Sequence, residues 1–279
     1  MQIIESILQM QEISNKWDTG KKIGFVPTMG YFHQGHLSLV AEANRQCDIT
    51  VVSIFVNPSQ FGPNEDFNSY PRDLQRDLEL LNKYRVDYVF HPSPQQIYPE
   101  PYRTWVSVEG LSSILCGASR PGHFRGVATI ILKLTNLIKP NLMFMGEKDF
   151  QQVTVLKTML QDLNCTTRIV SCPIVREEDG LAMSSRNIYL NPEQRKQALC
   201  LYRAIKESQL LYKQGLREVS LLKNKATEII ESSGGKIDYI SYVESNSLQE
   251  VTIADEDTRI MLAVYIGKTR LIDNALLKA

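Results

Sequence analysis

Residues 27–36 read Pro-Thr-Met-Gly-Tyr-Phe-His-Gln-Gly-His, and this stretch decides the predicted fold. The apolar residues 23–26 before it predict a β-strand, and residues 37–47 after it predict an amphipathic helix. The stretch is therefore a strand-to-helix turn. In an α/β fold such a turn lies at the carboxyl ends of the strands, where ligands bind. The same ten residues thus predict a fold class and a place for a site.

The residue types in this turn suit a phosphate chain. Gly30 and Gly35 allow the backbone to approach a ligand closely, and the N–H groups at the start of a helix favour an anion. His33 and His36 add two imidazole donors in a His-x-Gly-His pattern. Two histidines three residues apart could also be half of a metal site or a surface feature. With the strand, turn and helix around them, we favour nucleotide binding.

Composition excludes several classes of protein. The 31 Lys and Arg residues balance the 31 Asp and Glu residues, so no overall basic field exists to bind nucleic acid or an anionic membrane. The five cysteines are scattered and form no Cys-x-x-Cys pair, which favours reduced thiols in a cytoplasmic protein. We see no signal peptide and no apolar run that could span a membrane. We therefore expect a cytoplasmic protein.

The order of apolar segments predicts two domains. Strand and helix patterns alternate as far as residue 170, which predicts a Rossmann-like parallel sheet. From residue 191 onward, two helices are followed by strands rich in β-branched residues. We therefore expect an α/β domain over residues 1–180 and a smaller α+β domain, a lid or dimer surface, over residues 181–279. The predicted strands are residues 23–26, 48–56, 87–90, 141–145, 168–170, 237–243, 259–266 and 269–272, and the main predicted helices are residues 2–17, 37–47, 71–84, 127–138, 192–214 and 217–232.

Two further predicted turns carry polar residues at strand ends. Asn57 and Gln60 follow the second strand of the predicted sheet. Asn57 can be explained by an Asx turn, whereas the neutral amide of Gln60 could reach a polar substrate beside the nucleotide. In the turn of residues 146–152, Gly146 allows close backbone approach and Lys148 supplies a compact charge for phosphate oxygens. The roles of two further polar residues of this turn remain open. Asp149 could cap the next helix or bind ribose or metal, and Gln152 can still reach a cleft.

A fourth turn, residues 175–187, ends in Met183-Ser184-Ser185-Arg186. Hydroxyls and a guanidinium donate well to phosphate oxygens. By itself this would be a serine-rich surface turn, but with the histidine turn upstream we favour phosphate binding.

The roles of one carboxylate and of one basic cluster remain open at this stage. Asp77 is most simply on the solvated face of the helix 71–84, with magnesium binding as the weaker alternative. Arg120, His123 and Arg125 cluster at the start of the helix 127–138. Cations are unfavourable there unless an anion or a carboxylate compensates them.

Five stretches together carry a resemblance to a known family. The histidine turn and Met183–Arg186 resemble the HIGH and KMSKS elements of the nucleotidyltransferase-like class I synthetases. Within that superfamily the chain resembles the pantothenate synthetase (pantoate–β-alanine ligase) family over residues 22–190, and more weakly over residues 270–274. It departs from the family at Tyr31, Phe32 and Thr135. The five stretches are PTMGYFHQGH, FVNPSQFGPNEDFNSYPRD, GHFRGVATIILKL, MFMGEKDFQQ and VREEDGLAMSSRNIYL.

The resemblance implies an enzyme that condenses pantoate with β-alanine at the expense of ATP, through a pantoyl adenylate, in pantothenate and coenzyme A biosynthesis. It implies that His36, as proton donor, and Lys148 are catalytic, and that Gln60 and Gln152 bind pantoate, with Gln60 also near β-alanine. Magnesium is expected with ATP but no resident metal site, and the family is typically a cytoplasmic homodimer. The implied ATP-binding residues are Met29, Gly30, His33, His36, Gly146, Lys148, Asp149, Val175, Met183, Ser184, Ser185 and Arg186.

Two other functions remain to be weighed. A nucleotidylyltransferase of the same fold would need extra cations for a phosphate acceptor, where this chain has Gln60 and Gln152. A non-catalytic nucleotide sensor would have no reason to keep cations on the leaving group. An aminoacyl-tRNA synthetase is disfavoured because no anticodon-binding domain or basic face is visible.

Overall fold

A computed structural model describes residues 1–63 and 65–278 of the chain. These residues form two units: residues 1–147 with 152–173, and residues 148–151 with 174–278. The predicted boundary after residue 180 remains a prediction about independent domains. Asn64, within the second quoted stretch, and Ala279, the end of the second predicted domain, lie outside the described residues.

The first unit contains a six-stranded, all-parallel sheet, as the alternating pattern predicted. Its strand order is β1-β4-β3-β2-β5-β6. The strands are β1 (Gln2–Ile4), β2 (Ile23–Thr28), β3 (Ile49–Ile54), β4 (Tyr88–Phe90), β5 (Leu142–Gly146) and β6 (Arg168–Cys172). The helices that alternate with these strands along the chain are α1 (Ile7–Ser14), α2 (Gln34–Gln46), α3 (Leu74–Leu81), α4 (Pro94–Ile97), α5 (Cys116–Ser119), α6 (His123–Ile138) and α7 (Phe150–Asp162).

Both faces of this sheet are buried. Successive side chains of a strand point to opposite faces, so neighbouring residues report on the two faces separately. Phe25 and Val51 belong to one apolar cluster, together with residues of α1, α6 and α7. Their chain neighbours Val26 and Val52 belong to a second cluster, with residues of α2 and α3. This double burial explains why β2 and β3 are continuous apolar runs in the sequence.

The strand order places the expected ligand-binding edge. From β2 the chain adds β3 and β4 on one side, and then returns to add β5 and β6 on the other. In open α/β sheets, ligands bind at such a reversal, outside the carboxyl ends of the two strands that flank it. Those ends are the turn after Thr28 and the turn at Gly146.

The predicted helix over residues 2–17 is wrong in its first part. Gln2–Ile4 form a strand that pairs in parallel with β4, and the helix α1 begins only at Ile7, with Ser6 as its N-cap. Ile3 is 44% exposed and Ile4 is fully buried, the alternation of a strand at the sheet edge. The short apolar run has no helical preference strong enough to resist this pairing.

The second unit contains an antiparallel sheet in the order β7-β8-β9, so the predicted α+β character is confirmed. Helices and strands bury one apolar cluster between them, built from α9, α10 and the inward residues of the sheet. The predicted helix over residues 192–214 is two helices, because Ala198 separates them. The elements are α8 (Pro192–Gln197), α9 (Leu199–Lys213), α10 (Val219–Ser232), β7 (Lys236–Glu244), β8 (Thr258–Ile266) and β9 (Thr269–Leu276).

Two alanine substitutions test the edge strand. Ile4→Ala removes a fully buried side chain and should lower the free energy of unfolding by about 2–4 kcal/mol. Its neighbour Ile3→Ala is the matched control and should cost less than about 1 kcal/mol. Equilibrium urea unfolding measures both, and equal losses would contradict the alternation of a strand.

Candidate active site

The turn between β2 and α2 is held by a carboxylate from α3. Asp77 accepts hydrogen bonds from the backbone N–H of Tyr31 (2.6 Å) and of Phe32 (2.7 Å). Its side chain is buried, and burial raises the pKa of Asp77, although the two backbone bonds and Arg76 pull that pKa down. Arg76 also donates to the carbonyl of Phe32 at 3.0 Å. The path of the histidine turn is therefore fixed by α3.

Gly30 is required at this place by geometry. Its φ is +79°, and a Cβ there would lie 2.8 Å from the Asp77 Oδ2 atom and 3.0 Å from the Ile54 Cγ2 atom. Tyr31 follows with a φ of +52°. The two left-handed residues turn consecutive N–H groups toward the Asp77 carboxylate, and a side chain at Gly30 would push that carboxylate away.

The solvated-face interpretation of Asp77 is wrong. Leu74, Leu78 and Leu81 form the predicted inward stripe of α3, and Asp77 lies within it, three residues after Leu74 and four before Leu81. This spacing was the signal that could have found it. Each carboxylate oxygen accepts a backbone N–H, which favours a structural role over binding magnesium.

His33 and His36 cap the N-terminus of α2 reciprocally. The Nδ1 atom of His33 accepts from the N–H of Gly35 (3.1 Å), and the Nδ1 atom of His36 accepts from the N–H of His33 (3.4 Å). Their ring centroids are 4.1 Å apart. A ring nitrogen that accepts a hydrogen bond carries no proton, so each neutral ring carries its proton on Nε2. Two N–H donors are thereby set at the positive end of a helix.

Gln60 lies beside this turn. Its Nε2 atom donates to the Met29 sulfur at 3.1 Å, and its Oε1 atom accepts from the Asn57 amide at 3.1 Å. Asn57 is buried and also bonds to the Gly126 carbonyl and the Tyr98 hydroxyl. Asn57 is thus more than an Asx turn, because it orients the amide of Gln60.

The Gln60 loop packs tightly on the start of α6. A Cβ at Gly126 would lie 2.3 Å from the Ser59 carbonyl oxygen and 2.8 Å from the Gln60 Cα. The Nδ1 atom of His123 donates to the Gln60 carbonyl at 2.8 Å. Glycine at position 126 therefore permits the contact that places Gln60.

The basic cluster at the start of α6 has a carboxylate partner. Arg120 donates to both oxygens of Glu65, at 2.6 and 2.8 Å. Burial alone would raise the pKa of Glu65, but the bonds from Arg120 outweigh it and the pKa is lowered. Arg125 lies over the Trp105 ring at 5.0 Å. An anion or a carboxylate was expected to compensate this basic cluster, and for Arg120 the partner is the carboxylate of Glu65.

Gly146 and Gln152 lie around the end of β5 and the start of α7, and both are half-buried. A Cβ at Gly146 would meet no heavy atom of the described residues within 4 Å. The protein's own packing does not require glycine at position 146, so the open space beside it is available to a ligand.

In the second unit, a hairpin brings Val175 and Met183 together. The N–H of Met183 donates to the Val175 carbonyl at 3.0 Å, and Arg176 forms a bridge with Ala182. The Arg176 guanidinium binds Asp273 on β9 with bonds of 2.6 and 2.9 Å. This ion pair ties the hairpin to the antiparallel sheet.

The two serines and Arg186 continue directly from this hairpin. Ser184 caps a 3₁₀ turn over Ser185–Tyr189, and its hydroxyl accepts from the N–H of Arg186 at 3.3 Å. Ser185 is buried and Arg186 is half-buried. Ser185 and Arg186 therefore bring the first N–H groups of this turn and the guanidinium next to each other along the chain.

Lys148 lies in the second unit, in a 3₁₀ turn over Glu147–Asp149 that leads into α7. Burial lowers the pKa of Lys148, and the charge of Arg186 lowers it further, while Asp149 and Asp273 oppose the shift. Lys148 therefore shares an electrostatic environment with Arg186. Asp149 is exposed.

Within each unit, the structure brings several predicted residues together. In the first unit, Met29, Gly30, His33 and His36 share one turn, and Gln60 contacts Met29. In the second unit, Val175 pairs with Met183, and the charge of Arg186 lowers the pKa of Lys148. Sequence reasoning missed the supports: Asp77 in the first unit, and Asp273 and Asn274 in the second.

No group of three or more His, Cys, Asp or Glu side chains in residues 1–63 and 65–278 could hold a metal ion. Among those same residues, no helix has the length and apolar character needed to cross a membrane.

Comparison with known proteins decides the family. The sequence model of the family described as pantoate-beta-alanine ligase matches residues 2–276. The chain belongs to the pantoate–β-alanine ligase family. It is accordingly a ligase of pantothenate biosynthesis that joins pantoate to β-alanine through a carbon–nitrogen bond.

Relatives support this assignment over the full chain. The chain is 50% identical to the pantothenate synthetase of Caldicellulosiruptor bescii over 281 residues, covering 100% of both. It is 51% identical to that of Fervidobacterium nodosum, covering 99% of each. The crystal structure of pantothenate synthetase from Thermus thermophilus matches with a TM-score of 0.95 at 41% identity, covering 100% of both chains. The predicted fold class is thereby confirmed.

A further solved structure carries ligands. The Francisella tularensis pantoate-beta-alanine ligase, described as complexed with beta-gamma ATP and beta-alanine, matches with a TM-score of 0.84 at 39% identity. The match covers 100% of this chain and 98% of that one.

Asp77→Asn tests the support of the histidine turn. An amide has one acceptor oxygen, so one backbone N–H of Tyr31 or Phe32 loses its partner. The free energy of unfolding should fall by about 1–3 kcal/mol. Amide hydrogen exchange at Tyr31 and Phe32 should become faster.

The matched control is Asp73→Asn on the same helix. Asp73 is the exposed N-cap of α3, and Asp and Asn cap equally well, so a change of less than about 0.5 kcal/mol is expected. Unchanged exchange at both turn residues in Asp77→Asn would contradict the account of the turn.

Proposed function

We propose that this chain condenses pantoate with β-alanine in an ATP-dependent reaction that proceeds through pantoyl adenylate. The observation that carries the proposal is the reciprocal capping of α2, which sets the Nε2–H groups of His33 and His36 at a helix N-terminus. The ATP and β-alanine complex of the Francisella relative supports the same substrates.

The reaction has two balanced steps. A carboxylate oxygen of pantoate attacks the α-phosphorus of ATP, and the bond to the β-phosphate oxygen breaks as pyrophosphate leaves with its electron pair. The amine nitrogen of β-alanine then attacks the acyl carbon of the adenylate. The carbon–oxygen bond to AMP breaks, and the amine gives up a proton. Neither step needs a protein nucleophile, so positioning and charge stabilisation carry the catalysis.

In this proposal the histidine turn supplies hydrogen-bond donors, and glycines supply open backbone. His33 and His36 donate from Nε2 to the phosphates, and His36 is the proton donor to the leaving pyrophosphate. Met29, Gly30 and Gly146 let the nucleotide approach the backbone closely, which the open space beside Gly146 supports.

A lysine and an arginine supply the positive charge in this proposal. Lys148 and Arg186 stabilise the negative charge that develops on the leaving group, and Ser184 and Ser185 donate to phosphate oxygens. The remaining nucleotide contacts are proposed for Val175, Met183 and Asp149.

Gln60 and Gln152 bind pantoate in this proposal. A neutral amide can bond to the hydroxyls and to the carboxylate without lowering the nucleophilicity of that carboxylate as a cation would. The bonds that fix Gln60 between Asn57 and Met29 support its role as an oriented binding group.

Magnesium fits as part of the substrate. The described residues offer no cluster of three acidic or metal-binding side chains, and Mg²⁺ commonly binds through substrate phosphates with few protein ligands. We therefore propose MgATP as the nucleotide substrate. A cytoplasmic homodimer remains our prediction. Sedimentation of the purified protein tests the dimer.

Pyrophosphate release tests the proposed function. The purified protein is given MgATP and pantoate, with and without β-alanine. We expect a stoichiometric burst of pyrophosphate with pantoate alone and steady AMP formation once β-alanine is added. Release that needs a phosphate acceptor instead of pantoate would favour a nucleotidylyltransferase, and ATP binding without any release would favour a sensor.

His36→Ala and Lys148→Ala should each lower turnover by roughly a hundredfold or more with the fold intact. Each removes a group that acts on the charge developing on pyrophosphate. Lys157→Ala, an exposed lysine on α7, is the control and should keep normal turnover. Near-normal turnover in either of the first two variants would remove that residue from the mechanism.

Gln152→Ala should raise the KM for pantoate much more than the KM for ATP, because the amide is proposed to contact pantoate alone. Gln161→Ala, exposed on the same helix, should change neither constant. Initial rates at varied concentrations of each substrate measure both effects. Equal weakening of pantoate and ATP would rule out the assignment of Gln152.

A further inference from the structure

The backbone of Lys148 is held by a residue that is distant in the sequence. The Asn274 side-chain amide, on β9, donates to the Lys148 carbonyl at 3.0 Å. Asn274 is 1% exposed. Lys148 lies in a short 3₁₀ turn, whose backbone groups are poorly satisfied by the turn itself and need outside partners.

The orientation of the Asn274 amide is fixed by chemistry. Its Oδ1 atom accepts from the Nη1 atom of Arg259 on β8 at 2.6 Å. A guanidinium can only donate, so the oxygen of the amide must face Arg259 and the NH₂ group must face the Lys148 carbonyl. The backbone N–H of Asn274 is held as well, by the Asp273 carboxylate at 2.8 Å. The carbonyl of Lys148 thus has a rigid partner.

Arg259 also contacts the residue that directly follows this turn. Its guanidinium lies over the Phe150 ring, 3.8 Å from the centroid, and Arg259 is 6% exposed. Phe150 is two residues after Lys148 and begins α7. The sheet of the second unit therefore holds Lys148 directly through its carbonyl and indirectly through the ring that follows.

We propose that Asn274 and Arg259 are positioning residues for the adenylation step, which hold the Lys148 backbone so that its ammonium group is correctly placed on the ATP phosphates. The inference rests on the proposed role of Lys148. A long side chain is useful in catalysis only if its base is fixed, because small displacements of a catalytic group cost large factors in rate.

Asn274→Asp separates positioning from packing. The carboxylate is nearly the same shape and still accepts from Arg259, but it has no hydrogen to donate to the Lys148 carbonyl. Ser241→Ala is the structural control. It removes a buried side-chain bond to Glu250 from β7 of the same sheet, two strands from Asn274.

The experiment is a double-mutant cycle on single-turnover pyrophosphate release, with MgATP and pantoate. We expect Asn274→Asp to slow release about tenfold to a hundredfold, with the KM for pantoate changed less than about twofold. Lys148→Ala should be slower still, and Asn274→Asp should add almost nothing in the Lys148→Ala background. Ser241→Ala should release pyrophosphate at the normal rate.

The outcomes separate the two claims. Normal release in Lys148→Ala would overturn the proposed role of Lys148 and the inference with it. Slow release in Lys148→Ala but normal release in Asn274→Asp would overturn the inference alone, as would a full additional loss in the double variant. If Asn274→Asp does not fold, Phe150→Leu tests the second contact, since it removes the ring over which Arg259 lies. Normal release in Phe150→Leu would overturn the positioning role of Arg259.

Discussion

A buried carboxylate that accepts two consecutive backbone N–H groups determines the shape of the histidine turn. Asp77 holds the N–H groups of Tyr31 and Phe32, and Gly30 takes a left-handed conformation that leaves room for it. The turn then enters α2 at the angle at which His33 and His36 cap the helix and keep their protons on Nε2. The chemistry proposed for the histidines depends on this one carboxylate.

Each unit supports its polar loop with side chains from a distant segment. In the first unit, α3 holds the histidine turn and α6 holds the Gln60 loop. In the second, β9 holds the Lys148 turn through Asn274 and the hairpin of Val175 through Asp273. The groups assigned to substrate lie on turns, and regular elements supply the rigidity. This arrangement suits a reaction that needs fixed donors and cations more than a nucleophile.

The sequence predicted what is local and periodic. Apolar runs located the strands of the parallel sheet, and glycine and histidine in the turn after β2 indicated an anion site. The strand β1 was missed because it is stabilised by pairing with β4, far along the chain. The supports were missed for the same reason: Asp77 acts on a residue 46 positions away, and Asn274 on one 126 positions away. Only the position of Asp77 within the leucine stripe of α3 gave a local signal.

The central claim is that the pantoate carboxylate attacks the α-phosphorus at this site. Pantoate labelled with ¹⁸O in both carboxylate oxygens tests it, with mass analysis of the AMP formed during one round of condensation. In an adenylate route, one labelled oxygen bonds to the phosphorus and leaves with AMP when the amine attacks, and the second remains in the amide. AMP carrying one ¹⁸O is the result this account predicts. Unlabelled AMP, or label in ADP or inorganic phosphate, would contradict it.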